Sequence, residues 1–231
     1  MPLIEMQQVV KTYNSNGAAV QALKGIDFGV DEGEIMAIMG PSGSGKSTLL
    51  SILGAMNPPT SGQVLVDEIP IYDLSLEKRA DFRHEYLGFV FQQLQLIPYL
   101  TALENTLLPL AITRLSHRQQ EQMALTALER VGLRDKARRL PNQLSGGEQE
   151  RVAIARAIVN QPPIVLADEP TGSLDTQTGA EVMQLFQALN REGLTVVMVT
   201  HNPENLRYVQ RVVHLRDGRV VAGRETNDES H

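Results

Sequence analysis

Gly40-Pro41-Ser42-Gly43-Ser44-Gly45-Lys46-Ser47-Thr48 is the densest run of chemistry-bearing residues in this chain of 231. It fits the spacing G-x-x-x-x-G-K-[ST], with Gly40, Gly45, Lys46 and Ser47 at the fixed places. Glycines let backbone N–H groups close around a phosphate chain, and a helix starting at the loop's end adds partial positive charge. Lys46 is then placed to reach β- and γ-phosphates, and the Ser47 hydroxyl to complete a Mg²⁺ coordination sphere. The flanks agree, since Glu34 to Met39 reads as a short buried strand and Ser47 to Leu53 as a helix. An accidental match arises in roughly one chain per hundred of this length, and the strand–loop–helix setting makes accident rarer. The spacing predicts a nucleoside triphosphate site.

A second group lies far downstream. Ile164-Val165-Leu166-Ala167-Asp168-Glu169 is an apolar strand ending in two acids. A carboxylate at a buried strand's end is costly unless paired with a cation, and Mg²⁺ beside Lys46 supplies one. Asp168 is expected to hold the metal, while Glu169 can accept a proton from an attacking water. Taken alone, the pair could also be two solvated acids opening the turn at Pro170. In Leu144-Ser145-Gly146-Gly147-Glu148-Gln149, Ser145 is expected to cap a helix over Gly147 to Val159, and the glycines to leave backbone donors exposed. That is a second phosphate-binding device, and one nucleotide needs only one. Two devices in a chain make sense if each nucleotide is clamped between copies in a two-fold dimer.

The elements that must position these groups are legible in outline. Strands are expected at Ile4–Val10, Val20–Val30, Gln63–Val66, Leu87–Phe91, Thr195–Thr200 and Arg211–Leu215, with a short helix at Leu76–Phe82. From Thr101 to Asn160 the pattern is helical. Ser116 with Gln119 forms a capping box there, followed by Ala124, Ala127, Leu128 and Val131 on one face, and Gly132 as the stop. Arg216-Asp217-Gly218-Arg219 signals a hairpin turn, Asn14-Ser15-Asn16-Gly17 another turn, and the polar tail from Gly223 to His231 should fray. His84, His117, His214 and His231 read as solvated, and Arg134, Lys136, Arg138 and Arg139 as an exposed helix end.

Composition narrows the class further. The net charge of −6 gives no sign of a basic nucleic-acid surface. No cysteine is present, which excludes disulfides and thiolate metal sites and fits a reducing compartment. Met1 to Glu5 lacks the features of a signal peptide, and no apolar run approaches the ~18 residues of a membrane span, so a cytoplasmic protein is expected.

With these motifs in this order, from about Ile4 to Val221, the chain resembles the nucleotide-binding subunit of ATP-binding-cassette (ABC) transporters. The resemblance implies an α/β fold: a P-loop NTPase, RecA-like core with an N-terminal antiparallel β layer and an inserted α-helical subdomain. It implies one ABC ATPase domain, with 1–92 and 161–222 as core and β layer, 93–160 as the helical subdomain and 223–231 as the tail. Gly40 to Thr48 would be the Walker A loop, Ile164–Glu169 the Walker B strand and Leu144–Gln149 the signature motif, with Ser145, Gly146, Gly147 and Glu148 on nucleotide. Gln92 matches the Q-loop, contacting Mg²⁺ and the transport subunit. Asp175, in Ser173-Leu174-Asp175, matches the D-loop that crosses the dimer seam. His201 matches the switch histidine that contacts the γ-phosphate, and Tyr13 the aromatic that stacks on adenine. Asn202 and Glu150 depart from the commoner Asp and Gln, and neither removes a group the chemistry needs.

The stretches Leu87–Gln92, Leu100–Asn105 and Ala167–Gly172 resemble one bacterial subgroup in particular. It contains lipoprotein-releasing, macrolide-export, antimicrobial-peptide-resistance and cell-division ATPases. The implied assembly is a homodimer bound to ATP and Mg²⁺, peripheral on the inner face of the cell membrane. Its partner would be a separate transmembrane permease subunit, docking near Gln92–Tyr99, with room for a periplasmic accessory protein and no nucleic acid. A non-transport, ATP-switched regulatory module of cell-division or envelope-stress type would share the same site. Repair and translation ATPases usually add coiled coils, zinc modules or a second cassette, and GTPases an Asn-Lys-x-Asp motif. None is present.

Overall fold

The computed structural model describes residues 2–15 and 18–221. The turn residues 16 and 17, the tail at 223–231 and His231 lie outside the described residues. In chain order, β1 (Ile4–Ser15), β2 (Ala18–Val30) and β3 (Ile35–Met39) precede α1 (Lys46–Leu53). Next come β4 (Ser61–Val66), β5 (Ile69–Pro70), α2 (Leu76–Tyr86) and β6 (Leu87–Val90), then three helices, α3 (Ala102–Leu107), α4 (His117–Arg130) and α5 (Gly146–Ile158). The chain ends with β7 (Ile164–Asp168), α6 (Thr176–Arg191), β8 (Thr195–Thr200), β9 (Arg211–Arg216) and β10 (Arg219–Val221).

The strands form two sheets. One is antiparallel, in the order β2-β1-β4-β5, and the other runs β10-β9-β3-β8-β7-β6. In the second, β9, β3, β8, β7 and β6 are mutually parallel, and β10 is antiparallel at the edge. Its central strands read as near-continuous apolar runs because both of their faces are buried. Alternate residues enter two separate cores. Met36, Ile38, Leu166, Val197 and Val199 join α1 and the antiparallel sheet, whereas Ala37, Val165, Ala167, Val196 and Met198 join the helices α3 to α6. That alternation aims the chemistry. Asp168 follows Leu166 by two residues, so it shares the α1 face of the sheet.

Local signals explain the helix starts. Ser116 and Gln119 form the expected capping box, with Ser116 N–H donating to Gln119 Oε1 at 2.9 Å. Thr101 and Glu104 form another that pattern reading had not singled out. Several boundaries differ from expectation. β1 runs on to Ser15 because bulges between Met6 and Val10, with Gln8 at a φ of 48°, interrupt the alternation without ending the strand. β6 stops at Val90 rather than Phe91, since the chain turns at Leu94 and Gln95, both left-handed. His84 is half-buried, its Nε2 3.1 Å from the Pro109 carbonyl oxygen, and His214 is half-buried in β9, so neither is simply solvated. Lys136 is likewise not a free end of a basic cluster but pairs with Glu148.

Candidate nucleotide site

The phosphate loop leaves the sheet at the end of β3 and turns directly into α1. Gly45 sits at that junction with a φ of 105°, which side chains disfavour, and a Cβ there would come 2.7 Å from the Ala22 carbonyl oxygen. Ser44 is buried, its carbonyl accepting from Gly218 N–H at 3.1 Å, so the β9–β10 turn braces the loop from behind. No side chain caps α1, which leaves its first N–H groups available to an anion. Lys46 Nζ donates to the carbonyls of Gly40 at 2.8 Å and Pro41 at 3.0 Å, folded back over its own loop. The loop, Gln92, Asp168, Glu169 and His201 line one open cavity of about 580 Å³.

Two carboxylates meet at this cavity. Asp168 is half-buried, and burial raises its pKa, with the neighbouring Glu169 charge adding and Lys46 partly offsetting. A cation at this point would relieve both destabilising causes. Glu169 leaves the strand with a φ of 50°, a conformation that a non-glycine residue adopts only where its surroundings hold it. Its N–H donates to the Val199 carbonyl at 2.9 Å, and its Oε1 lies 2.8 Å from Nδ1 of His201. When the carboxylate is ionised, Nδ1 is the donor. The exposed imidazole therefore stands beside the acid at the cavity mouth, on the end of β8.

The glycine-rich helix tip lies elsewhere. Ser145 caps α5, its hydroxyl accepting from Glu148 N–H at 3.3 Å, and Glu148 Oε2 accepts from Ser145 N–H at 3.0 Å. The other Glu148 oxygen takes Lys136, and these contacts lower its pKa. Ser145, Gly147 and Glu148 line a separate depression of about 310 Å³ that has no residue in common with the phosphate-loop cavity. Gly146 is exposed beside them. Asp175 caps α6 and belongs to neither depression.

Residues 23–172 match the family model described as ABC transporter. The chain belongs to that family. It is one of the family's ATP-binding, ATP-hydrolysing cassettes, and its two sheets and helical insertion are the cassette fold. The ABC transporter ATP-binding protein MJ0796 of Methanocaldococcus jannaschii is 48% identical over 223 residues, covering 94% of this chain and 95% of that one. A dimeric structure of the MJ0796 cassette in a post-hydrolysis state, bound to ADP and Pi, superposes with a TM-score of 0.88 at 44% identity, covering 98% and 100% of the chains. The lipoprotein-releasing system ATP-binding protein LolD of Syntrophus aciditrophicus is 42% identical, covering 95% of this chain and 99% of its own. The macrolide export ATP-binding/permease protein MacB of Syntrophobacter fumaroxidans is 44% identical over 94% of this chain but only 31% of its own length.

Within this ABC cassette, Tyr13 stands apart from the phosphate-loop cavity on the antiparallel sheet. Its hydroxyl accepts from Asn57 Nδ2 at 2.6 Å, and Lys11 Nζ lies 5.2 Å from the ring centroid. One ring face is thus taken by a cation. Motif reading missed Asn57 and the role of Lys136, because each acts through a partner distant in sequence, Tyr13 and Glu148.

Proposed function

We propose that two copies of this chain close head to tail on two ATP molecules and drive a separate membrane subunit. The observation that supports this most directly is the separation of the two phosphate-binding devices. In one chain the Gly40–Thr48 loop and the Ser145–Gly147 tip open into different depressions, so a second copy must bring its tip to the first copy's triphosphate. The cassette of MJ0796 is dimeric with ADP and Pi bound, which supports a nucleotide-bound dimer here.

Lys46 would swing from the Gly40 and Pro41 carbonyls to the β- and γ-phosphates, exchanging two neutral acceptors for charged ones. Asp168, the Ser47 hydroxyl and the Gln92 amide oxygen, all at this cavity, would supply the oxygen ligands that Mg²⁺ prefers. When bound, that ion neutralises charge on the β- and γ-phosphates. Glu169 would take the proton of the attacking water, and His201 would orient the γ-phosphate from the opposite side of the same contact. Tyr13 would stack its free face on the base. Asp175 would reach the seam between copies.

The membrane partner is proposed to dock beside the Q-loop. Tyr99 is 86% exposed and Ile112 77%, with Ile97, Leu108 and Leu115 also exposed, an apolar surface suited to a partner helix. No helix among the described residues is long and apolar enough to cross a membrane. The relative LolD is the ATP-binding protein of a lipoprotein-releasing system, and MacB is an ATP-binding/permease protein. The cassette would therefore sit on the cytoplasmic face, and any periplasmic accessory protein would meet the permease. Purifying the Glu169→Gln chain from membranes in detergent with ATP and Mg²⁺ tests this. A permease subunit should co-purify, and Tyr99→Glu with Ile112→Glu should abolish its recovery. Recovery of the cassette free of any permease under these conditions would refute the docking.

A further inference from the structure

Behind the Glu169–His201 contact lies a buried polar cluster that no nucleotide-binding motif contains. Asn205, on a 3₁₀ turn over Pro203–Tyr208, is only 3% exposed. Its Nδ2 donates to Thr171 Oγ1 at 2.9 Å and to Thr200 Oγ1 at 3.0 Å. Both threonines are buried as well. Thr171 lies in the turn that Glu169 opens, closed by Gly172 N–H on the Glu169 carbonyl at 2.9 Å. Thr200 directly precedes His201, and its hydroxyl also accepts from Asn202 N–H at 3.0 Å.

The placement matters because the sheet gives out here. β7 and β8 stay paired as far as Asp168 and Val199, and the Glu169 N–H to Val199 bond is the last rung. Beyond it the strand pairing ends, and the Glu169 carboxylate meets the other segment only through His201, by its N–H on Oε2 at 3.3 Å and its Nδ1 at 2.8 Å from Oε1. Both Nδ2 hydrogens of Asn205 are used across that gap, one on each segment. A left-handed Glu169 keeps its position only if the turn after it is held.

We propose that Asn205 is a positioning residue for ATP hydrolysis, fixing the Glu169 carboxylate relative to the His201 imidazole by pinning Thr171 and Thr200. This rests on Glu169 as base and His201 as γ-phosphate contact. Its loss would misplace the reacting groups while leaving the phosphate loop and its Lys46 untouched.

ATP hydrolysis by Asn205→Ala and Thr171→Val tests the proposal. Each should lower kcat by about tenfold or more with KM for ATP within about twofold, since a misplacement of ~1 Å can cost 10²-fold. The double variant should be no slower than Asn205→Ala alone, because that substitution already removes the bond that Thr171→Val removes, together with the one to Thr200. If Asn205→Ala does not fold, Thr171→Val, which removes a single hydroxyl, decides by the same criteria. Unchanged kcat, or kcat and ATP affinity failing together with the melting temperature, would overturn the proposal. Glu169→Gln is measured alongside. Full-rate hydrolysis there sinks the assignment of the base, whereas a slow Glu169→Gln with normal Thr171→Val and Asn205→Ala sinks this proposal alone.

Discussion

Gly147 lies so close to Thr178 that a Cβ on the glycine would stand 2.2 Å from the threonine Cγ2. Thr178 is itself held by Asp175, its N–H on Oδ1 at 3.0 Å and its hydroxyl on Oδ2 at 2.6 Å. The tip of α5 and the cap of α6 are therefore in direct contact, and both belong to the surface proposed to meet the second copy.

That contact predicts a rescue. Gly147→Ala should destabilise the chain by about 1–3 kcal/mol, the usual range for overpacking. Thr178→Ser removes the clashing Cγ2 and keeps the hydroxyl on Asp175, so the double variant should recover most of the loss. Urea denaturation of the two singles and the double checks this, and additive losses would contradict it.

Glu150 predicts an unusual pH dependence. It is 2% exposed on α5, its Oε1 has no hydrogen-bond partner, and burial raises its pKa from 4.5 to about 8. Between those values the folded chain keeps a proton that the unfolded chain has lost, so this group makes stability fall as pH rises from 4.5 to about 8. Glu150→Gln removes that loss. The variant should be more stable than the parent at pH 8, by on the order of a few kcal/mol, and nearly equal to it below the unfolded pKa. Denaturation curves that stay parallel across this range would contradict the account.

Glu169→Gln should separate binding from chemistry. Loss of a general base typically lowers the rate by about 10²–10⁴, so kcat should fall by that factor while ATP binding is retained. Steady-state hydrolysis with a nucleotide-binding titration measures both, and weakened binding with normal turnover would be the wrong result.

Tyr13→Ala should act on affinity. Lys11 covers one ring face and Asn57 holds the hydroxyl, leaving the other face for a base. Removing the ring should weaken ATP binding by about 1–3 kcal/mol with kcat little changed. An unaltered KM would exclude the stack.

How much was legible follows from where each cause lies in the chain. The phosphate loop, the acid-tipped strand and the Ser145 cap could be read directly, because glycine freedom, apolar runs and capping depend on adjacent residues. The two faces of β3, β7 and β8 could not be separated in the sequence, since a strand buried on both sides shows no alternation. Lys136 meets Glu148 only because a 3₁₀ turn at Arg134–Lys136 folds onto the tip of α5. Asn205 joins Thr171 and Thr200 across loops, with 34 positions separating it from Thr171. No local pattern announces such a bond.

The central claim is that each copy completes the other's site, and sizing the Glu169→Gln chain by light scattering, with and without ATP and Mg²⁺, tests it most directly. The account predicts a monomer without nucleotide and a stable dimer with it, lost again when Ser145 or Gly147 is replaced. A chain that stays monomeric at high concentration with ATP and Mg²⁺ bound would contradict it.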